Sequence, residues 1–143
     1  RACIRLSGAD VVFGGEIRRP LRDEDGGIGS RANLKGYAFE YMTAGRVMVL
    51  GDPGPWICAG MTGGAIYQRI QPEMGLTQEA IERRIAPGAS AQVSSLNNQD
   101  VTDASELLNR YIKTLEDNHQ TEAAEHLYTL LRRPQNYFVK ISP

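Results

Sequence analysis

A short phrase that occurs twice is the feature of this 143-residue chain that most constrains its fold. The segment YMTAGRVMVL begins at Tyr41, and the segment GMTGGAIYQR begins 19 residues later, at Gly60. Similar residue types coincide when the two are aligned: Met42 with Met61, Thr43 with Thr62, Gly45 with Gly64 and Val47 with Ile66. A catalytic site needs its residues once, whereas a repetitive structure needs them once per repeat.

A fainter third copy precedes these two. The segment LSGADVVF, residues 6–13, matches MTAGRVMV, residues 42–49, in residue character at an offset of 36. A fixed period near 20 residues is typical of a solenoid, in which each coil packs only against its neighbours. The repeat therefore predicts a β-solenoid, and an antiparallel β-meander with coincidental glycines is the alternative.

Glycine and methionine in the repeat predict a packing role. Glycine allows the chain to turn with a positive φ and allows neighbouring backbones to approach closely. In stacked repeats, Met42 would lie beside Met61, and Val47 beside Ile66. We therefore predict a structural role for all the recurring positions, namely Met42, Thr43, Gly45, Met61, Thr62, Gly63 and Gly64.

Glycine usage divides the chain into two parts. The chain has 15 glycines, and none follows Gly88. The patterns predict one domain over residues 1–143, with β-helix coils over 1–70, a linker with a short helix over 71–102, and two helices with an extended tail over 103–143. Apolar periodicity and caps predict helices over 77–85, 103–118 and 121–133. Thr77 is the expected N-cap of the first helix, and Asp103 with Glu106 caps the second.

Two further segments, AQVSSL and NYFVKISP, are typical of extended chain. The two C-terminal helices each have one apolar face. We expect them to cover an open end or flank of the solenoid, because unpaired sheet edges invite aggregation.

No catalytic, cofactor-binding or metal-binding residue is predicted. His119 and His126 would lie ~10 Å apart along one helix, too far to share a metal. GMTGG is followed by Ala65 and Ile66 instead of the Lys-Ser/Thr of a phosphate-binding loop. Cys58 has no histidine near it in sequence and is expected to be a small buried residue. Trp56 is either an interface anchor or a core residue.

Composition narrows the function classes. The chain has 16 basic and 17 acidic residues, which argues against a nucleic-acid binder. No apolar run approaches the ~20 residues of a membrane helix, and no signal peptide is visible. Two cysteines without CxxC spacing are typical of a reduced compartment, so we expect a cytoplasmic protein.

FEYMTAGRVMVLGDPG, followed by CAGMTGGAIY, strongly resembles the C-terminal GXGXG domain of the glutamate synthase large subunit. That family has a Glu-Tyr-Met-Thr-Gly-Gly phrase, a valine-rich strand ending in Leu-Gly, and an Ala-Gly-Met-Ser/Thr-Gly-Gly phrase. The matching segments here are residues 40–45, 46–51 and 59–64. The tail FVKISP also resembles the family's Phe-Val-Lys-Val-x-Pro ending.

The resemblance implies a fold and a role. The fold would be mainly β: a single-stranded right-handed parallel β-helix followed by C-terminal α-helices. The role would be a non-catalytic scaffold in an enzyme that transfers the amide nitrogen of glutamine to 2-oxoglutarate. Its partners would be the amidotransferase domain and the FMN-binding synthase domain. FMN and an iron–sulfur cluster would lie in those parts, and none in this domain.

Several alternatives stay open. Forty residues precede Tyr41, fewer than the family's usual number of coils requires, so a detached glutamate-synthase-like module is one of them. The chain is also similar to a scaffold subunit of a different oxidoreductase, formylmethanofuran dehydrogenase, in which the same module recurs. A stand-alone β-helix enzyme with an unrecognised site is the third alternative, and a homo-oligomer is compatible with each of them.

Overall fold

A computed structural model describes residues 1–29 and 32–143 of the chain. Within these residues, five strands form one sheet in the order β1-β2-β3-β5-β4, accompanied by three α-helices. The strands are β1 (Ser7–Phe13), β2 (Ala44–Val49), β3 (Ala65–Arg69), β4 (Gln92–Ser94) and β5 (Phe138–Ser142). The helices are α1 (Gln78–Arg84), α2 (Asn98–Asp117) and α3 (Thr121–Arg132).

The repeated phrase sets the register of the parallel part of the sheet. Strand β2 pairs in parallel with β1 on one side and with β3 on the other. Val47 lies opposite Val11 in β1 and opposite Ile66 in β3. These pairs have the sequence offsets of 36 and 19 on which the repeat was identified. The parallel pairing and the register predicted from the repeat are therefore confirmed, and the antiparallel meander is wrong for these three strands.

The predicted parallel β-helix is wrong. Strand β5 is antiparallel to β3, and β4 is antiparallel to β5, so the described strands form a single open mixed sheet. The physical reason lies at the free edge of β3. A further coil would have paired with that edge, but the C-terminal segment FVKIS occupies it, with Ile141 opposite Ile66 and Phe138 opposite Arg69.

The sheet buries apolar side chains on both faces, because successive residues of a strand point to opposite sides. Val47 and Val49 point into one core, which the loops and α1 complete. Met48 and Tyr67 point into the other core, which α2 and α3 cover. The C-terminal helices therefore cover one face of the sheet. The residues of this second core include Leu107, Leu108, Ile112, Ala124, Leu127 and Leu130.

The helix starts depend on which side chains are free to cap. Thr77 is the N-cap of α1 as predicted, because its hydroxyl accepts from the Ala80 N–H at 3.2 Å. Helix α2 begins at Asn98 and not at Asp103, since Asn97 and Asp100 form a reciprocal capping box there. The predicted capping residues Asp103 and Glu106 instead bind Arg46. Helix α3 begins at Thr121, as predicted.

Candidate functional site

The recurring methionines lie in the apolar core. Met42 and Met61 are both fully buried in the same cluster, whereas Thr43 and Thr62 are exposed. The two copies of the phrase contact each other through the backbone, with the Thr62 N–H donating to the Met42 carbonyl at 2.9 Å. None of the seven predicted structural residues lines the cleft described below.

The glycines of the repeat lie where the backbones of neighbouring strands meet. Gly64 has φ +86°, and a Cβ there would lie 2.6 Å from the Met42 Cε atom and 3.1 Å from the Gly45 oxygen. Gly45 has φ +107°, and its Cβ would lie 2.6 Å from the Ala9 oxygen. A side chain on Gly63 would overlap the Thr43 backbone. These positions combine a left-handed conformation or a close approach with no room for a side chain.

A cleft of about 490 Å³ opens at the C-terminal end of β3, between the loop after β1 and the helices α2 and α3. Its walls carry apolar and polar side chains of both charges. The lining residues are Gly15, Glu16, Arg18, Leu50, Arg69, Tyr111, Leu115, Gln120, Glu122, Ala123, His126 and Leu127. Of these, only His126 was considered from the sequence, and only as a metal ligand.

Arg69 is the unusual residue of this cleft. Its side chain is 6% exposed, and its Nη2 atom lies 3.2 Å from Nε2 of His126. Its Nε and Nη1 atoms are buried and have no hydrogen-bond partner in the described chain. Burial lowers the pKa of the Arg69 guanidinium, and the more distant charges of Glu16 and Glu73 oppose this without cancelling it.

His126 lies between Arg69 and Glu16. An arginine only donates hydrogen bonds, so Nε2 of His126 is the acceptor and its ring carries the proton on Nδ1. The Glu16 carboxylate lies 3.7 Å from the same Nε2 atom and accepts a hydrogen bond from Arg18 at 3.0 Å. The side chains of His126 and Glu16 are 51% and 38% exposed. Both can therefore rotate into solvent, which the enclosed guanidinium cannot do.

The repeat itself contains a signal for Arg69, which a search for matching residues alone misses. In the aligned phrases, Arg69 falls on Leu50, the last residue of the preceding copy. Leu50 is 1% exposed and belongs to the core beneath α2 and α3. A charged residue at a position that the preceding copy fills with leucine conflicts with core packing, and such conflicts are expected at functional sites.

A second buried arginine is fully paired. Arg84 is 0% exposed and contacts Asp52 at 2.8 and 3.0 Å and Asp23 at 2.7 and 2.8 Å. The Arg84 guanidinium lowers the pKa of Asp23. On the sheet surface, Arg46 likewise binds Asp10, Asp103 and Glu106. Arg69 forms no such ion pair with any carboxylate of the described residues.

Metal and thiol chemistry find no support in residues 1–29 and 32–143. No group of three or more His, Cys, Asp or Glu side chains there could hold a metal ion. The Cys58 thiol is buried, and this desolvation raises its pKa to about 12, so it is a protonated core residue as predicted. None of the helices in the described chain combines the length and apolar character needed to cross a membrane.

A second exposed feature is aromatic. Trp56 is 49% exposed and stacks on Tyr37 with ring centroids 5.3 Å apart. The Arg1 guanidinium lies 5.2 Å from the centroid of the Tyr37 ring. The core interpretation of Trp56 is therefore wrong, and we call these three residues the aromatic patch.

Two curated proteins are similar to part of this chain. The ferredoxin-dependent glutamate synthase of Cyanidium caldarium is 40% identical over 65 residues, 42% of this chain and 4% of that protein. Ferredoxin-dependent glutamate synthase 1, chloroplastic/mitochondrial, of Arabidopsis thaliana is 40% identical over 62 residues, 40% of this chain and 4% of that protein. The matched part of the chain thus spans 4% of the length of these curated relatives.

The family comparison covers much more of the chain. A family model described as the GXGXG motif matches residues 31–143, which include both strong copies of the repeated phrase, the helices and the C-terminal strand. The match and the two relatives agree with the resemblance seen in the sequence. The chain belongs to the GXGXG motif family and carries a domain related to part of glutamate synthase.

Proposed function

We propose that the chain is a non-catalytic structural domain of a glutamate synthase, the enzyme that transfers the amide nitrogen of glutamine to 2-oxoglutarate. The domain packs against an amidotransferase domain and an FMN-binding synthase domain, which perform the chemistry. The proposal rests mainly on the use of the repeated phrase. Met42 and Met61 are buried, and Gly45 and Gly64 contact neighbouring backbone, so this phrase is occupied with packing.

The flavin and the iron–sulfur cluster of such an enzyme do not fit this chain. An iron–sulfur cluster is held by four cysteine thiolates, whereas the chain has two cysteines, and the thiol of Cys58 is buried. The glycines of GMTGG do not form a phosphate cradle, because Gly63 and Gly64 contact the backbone of the preceding copy. Both groups therefore belong to the partner domains in this proposal.

The aromatic patch is the surface that we assign to this packing. Tryptophan, tyrosine and arginine are the residues that contribute most to binding energy at protein interfaces. Trp56 and Tyr37 are 49% and 42% exposed and hold each other in a stacked arrangement before any partner binds. A rigid aromatic pair loses little side-chain entropy on association.

The catalytic part of the proposal is tested with the purified chain. We expect no glutaminase activity, no glutamate formation from glutamine and 2-oxoglutarate, and no flavin absorbance. Turnover of glutamine, or a flavin present at one equivalent per chain, would refute the structural role and favour an enzyme.

The packing surface is tested by gel filtration with the amidotransferase and FMN-binding domains of a glutamate synthase from the same organism. We expect the wild-type chain to co-elute with them and Trp56→Ala to weaken this association. Tyr128→Ala is the matched control, because Tyr128 is also an exposed aromatic residue, at 42%, but lies on α3. Equal weakening by the two variants would argue against the aromatic patch.

A further inference from the structure

We propose that the cleft at the end of β3 is a binding site for a small carboxylate-bearing molecule, whose carboxylate pairs with the guanidinium of Arg69. This inference concerns a different surface from the aromatic patch. It does not depend on the proposed structural role, since a structural domain can also carry a ligand site.

The first argument is the unpaired charge of Arg69. A buried hydrogen-bond donor without a partner is costly, and a buried charge without a counter-ion is more so. Arg69 is 6% exposed and has two buried nitrogen atoms without partners in the described chain. The same chain pairs the buried Arg84 with two carboxylates. The counter-ion that Arg69 lacks is therefore expected to come from outside the described residues.

The second argument is the shape of the site. A planar guanidinium binds a carboxylate through two parallel N–H···O bonds. The Nε and Nη1 atoms of Arg69 are closed to solvent in the present arrangement. His126 contacts the guanidinium, and Glu16 contacts His126, and both side chains are largely exposed. Rotation of these two side chains opens the guanidinium to the cleft without any movement of the backbone.

The third argument identifies the class of ligand. A volume of about 490 Å³ lies within the usual ~300–1,000 Å³ of small-molecule sites. Leu50, Leu115 and Leu127 provide apolar walls, and Gln120 provides an amide. Glu16 and Glu122 also line the cleft, so a dianionic phosphate would be repelled there. A single carboxylate, carried by a small acid or by an amino acid, suits one buried guanidinium.

The test is a titration of the full 143-residue chain followed by the shifts of its backbone amide resonances. The probes are acetate and succinate as simple acids, glycine as an amino acid, and inorganic phosphate. We expect saturable shifts with at least one carboxylate probe, confined to the end of β3, the loop after β1 and α3. Saturation by glycine alone assigns the site to amino acids, and saturation by acetate or succinate assigns it to simple acids.

Substitution of Arg69 completes the test. We expect Arg69→Gln to weaken the affinity roughly 10- to 100-fold, the loss of a charge-assisted pair. Arg22→Gln is the control, because it removes the same charge from an exposed residue that pairs with Asp25 instead. If Arg69→Gln does not fold, Arg69→Lys replaces it, since lysine keeps the charge but loses the planar fork.

Three results would overturn the proposal. The first is the absence of saturable shifts with every carboxylate probe, which would leave the cleft to an acidic side chain of another protein. The second is saturation by phosphate only. The third is equal weakening of binding by Arg69→Gln and Arg22→Gln, which would indicate a general effect of charge.

Discussion

Replacement of Gly64 by valine tests whether the repeated phrase is structural. Gly64 has φ +86°, a conformation that a β-branched residue adopts only with strain. Its Cβ would also lie 2.6 Å from the end of the Met42 side chain and 3.1 Å from the Gly45 oxygen. Met42 is fully buried, so its displacement disturbs the core around it.

The expected magnitude follows from these two effects. A left-handed conformation costs a non-glycine residue about 1–2 kcal/mol. Overpacking a filled core costs about 1–3 kcal/mol. We therefore expect Gly64→Val to lower the free energy of unfolding by about 2–5 kcal/mol. In a domain of this size, each kcal/mol lowers Tm by roughly 2–4 °C.

Gly88→Val is the matched control for the steric part of this effect. Gly88 has φ +81°, close to that of Gly64, but nothing lies within 4 Å of its would-be Cβ. We expect it to cost only the conformational term of about 1–2 kcal/mol. Urea unfolding followed by circular dichroism measures both variants. Equal midpoints for Gly64→Val and Gly88→Val, with equal slopes, would refute the close approach at Gly64.

Three further predictions concern buried groups. Asp52→Ala should lower the free energy of unfolding by about 3–5 kcal/mol in urea, because Arg84 loses one of its two buried counter-ions; a loss below about 1 kcal/mol would contradict this. The lowered pKa of Asp23 contributes stability above its unfolded pKa of about 3.9, and this is lost as the pH falls through the native value. Thermal melts in acid should therefore destabilise wild type more steeply than Asp23→Asn, and parallel curves would refute the linkage. A thiol reagent at neutral pH should label Cys3 in the native state and Cys58 only on unfolding, because burial raises the pKa of Cys58 to about 12; equal native rates would contradict its burial.

The parallel part of the sheet could be predicted from sequence because it is encoded locally. Offsets of 36 and 19 place Val11, Val47 and Ile66 in line, and the structure pairs these residues. The open mixed sheet could not be predicted in this way. FVKIS is typical of a strand, but nothing near it in sequence indicates that it pairs antiparallel with β3. The edge it occupies is decided by contacts between residues distant along the chain.

Competition for polar partners explains the misplaced start of α2. Asn97 with Asp100 and Asp103 with Glu106 are both plausible capping pairs in the sequence. The first pair caps the helix, because the second is engaged by Arg46 from β2. That ion pair joins residues far apart in sequence, so local pattern alone could not decide between the two.

The cleft was missed for a similar reason. Its walls come from β3, the loop after β1, α2 and α3, and no short motif joins them. The exception is Arg69, which takes the place of the buried Leu50 in the repeat. A comparison of the two copies for differences, and not only for matches, would have identified it.

The structural role is tested most directly by reconstitution of a glutamate synthase with and without this chain. The amidotransferase and FMN-binding domains of the same organism would be purified in both forms, and the glutamate formed per bound flavin would be measured together with the Tm of the flavin-containing domains. The proposed role predicts that the chain raises Tm and the yield of folded flavoprotein, while turnover per bound flavin stays the same. Turnover per flavin that depends on the chain at an unchanged Tm would contradict it.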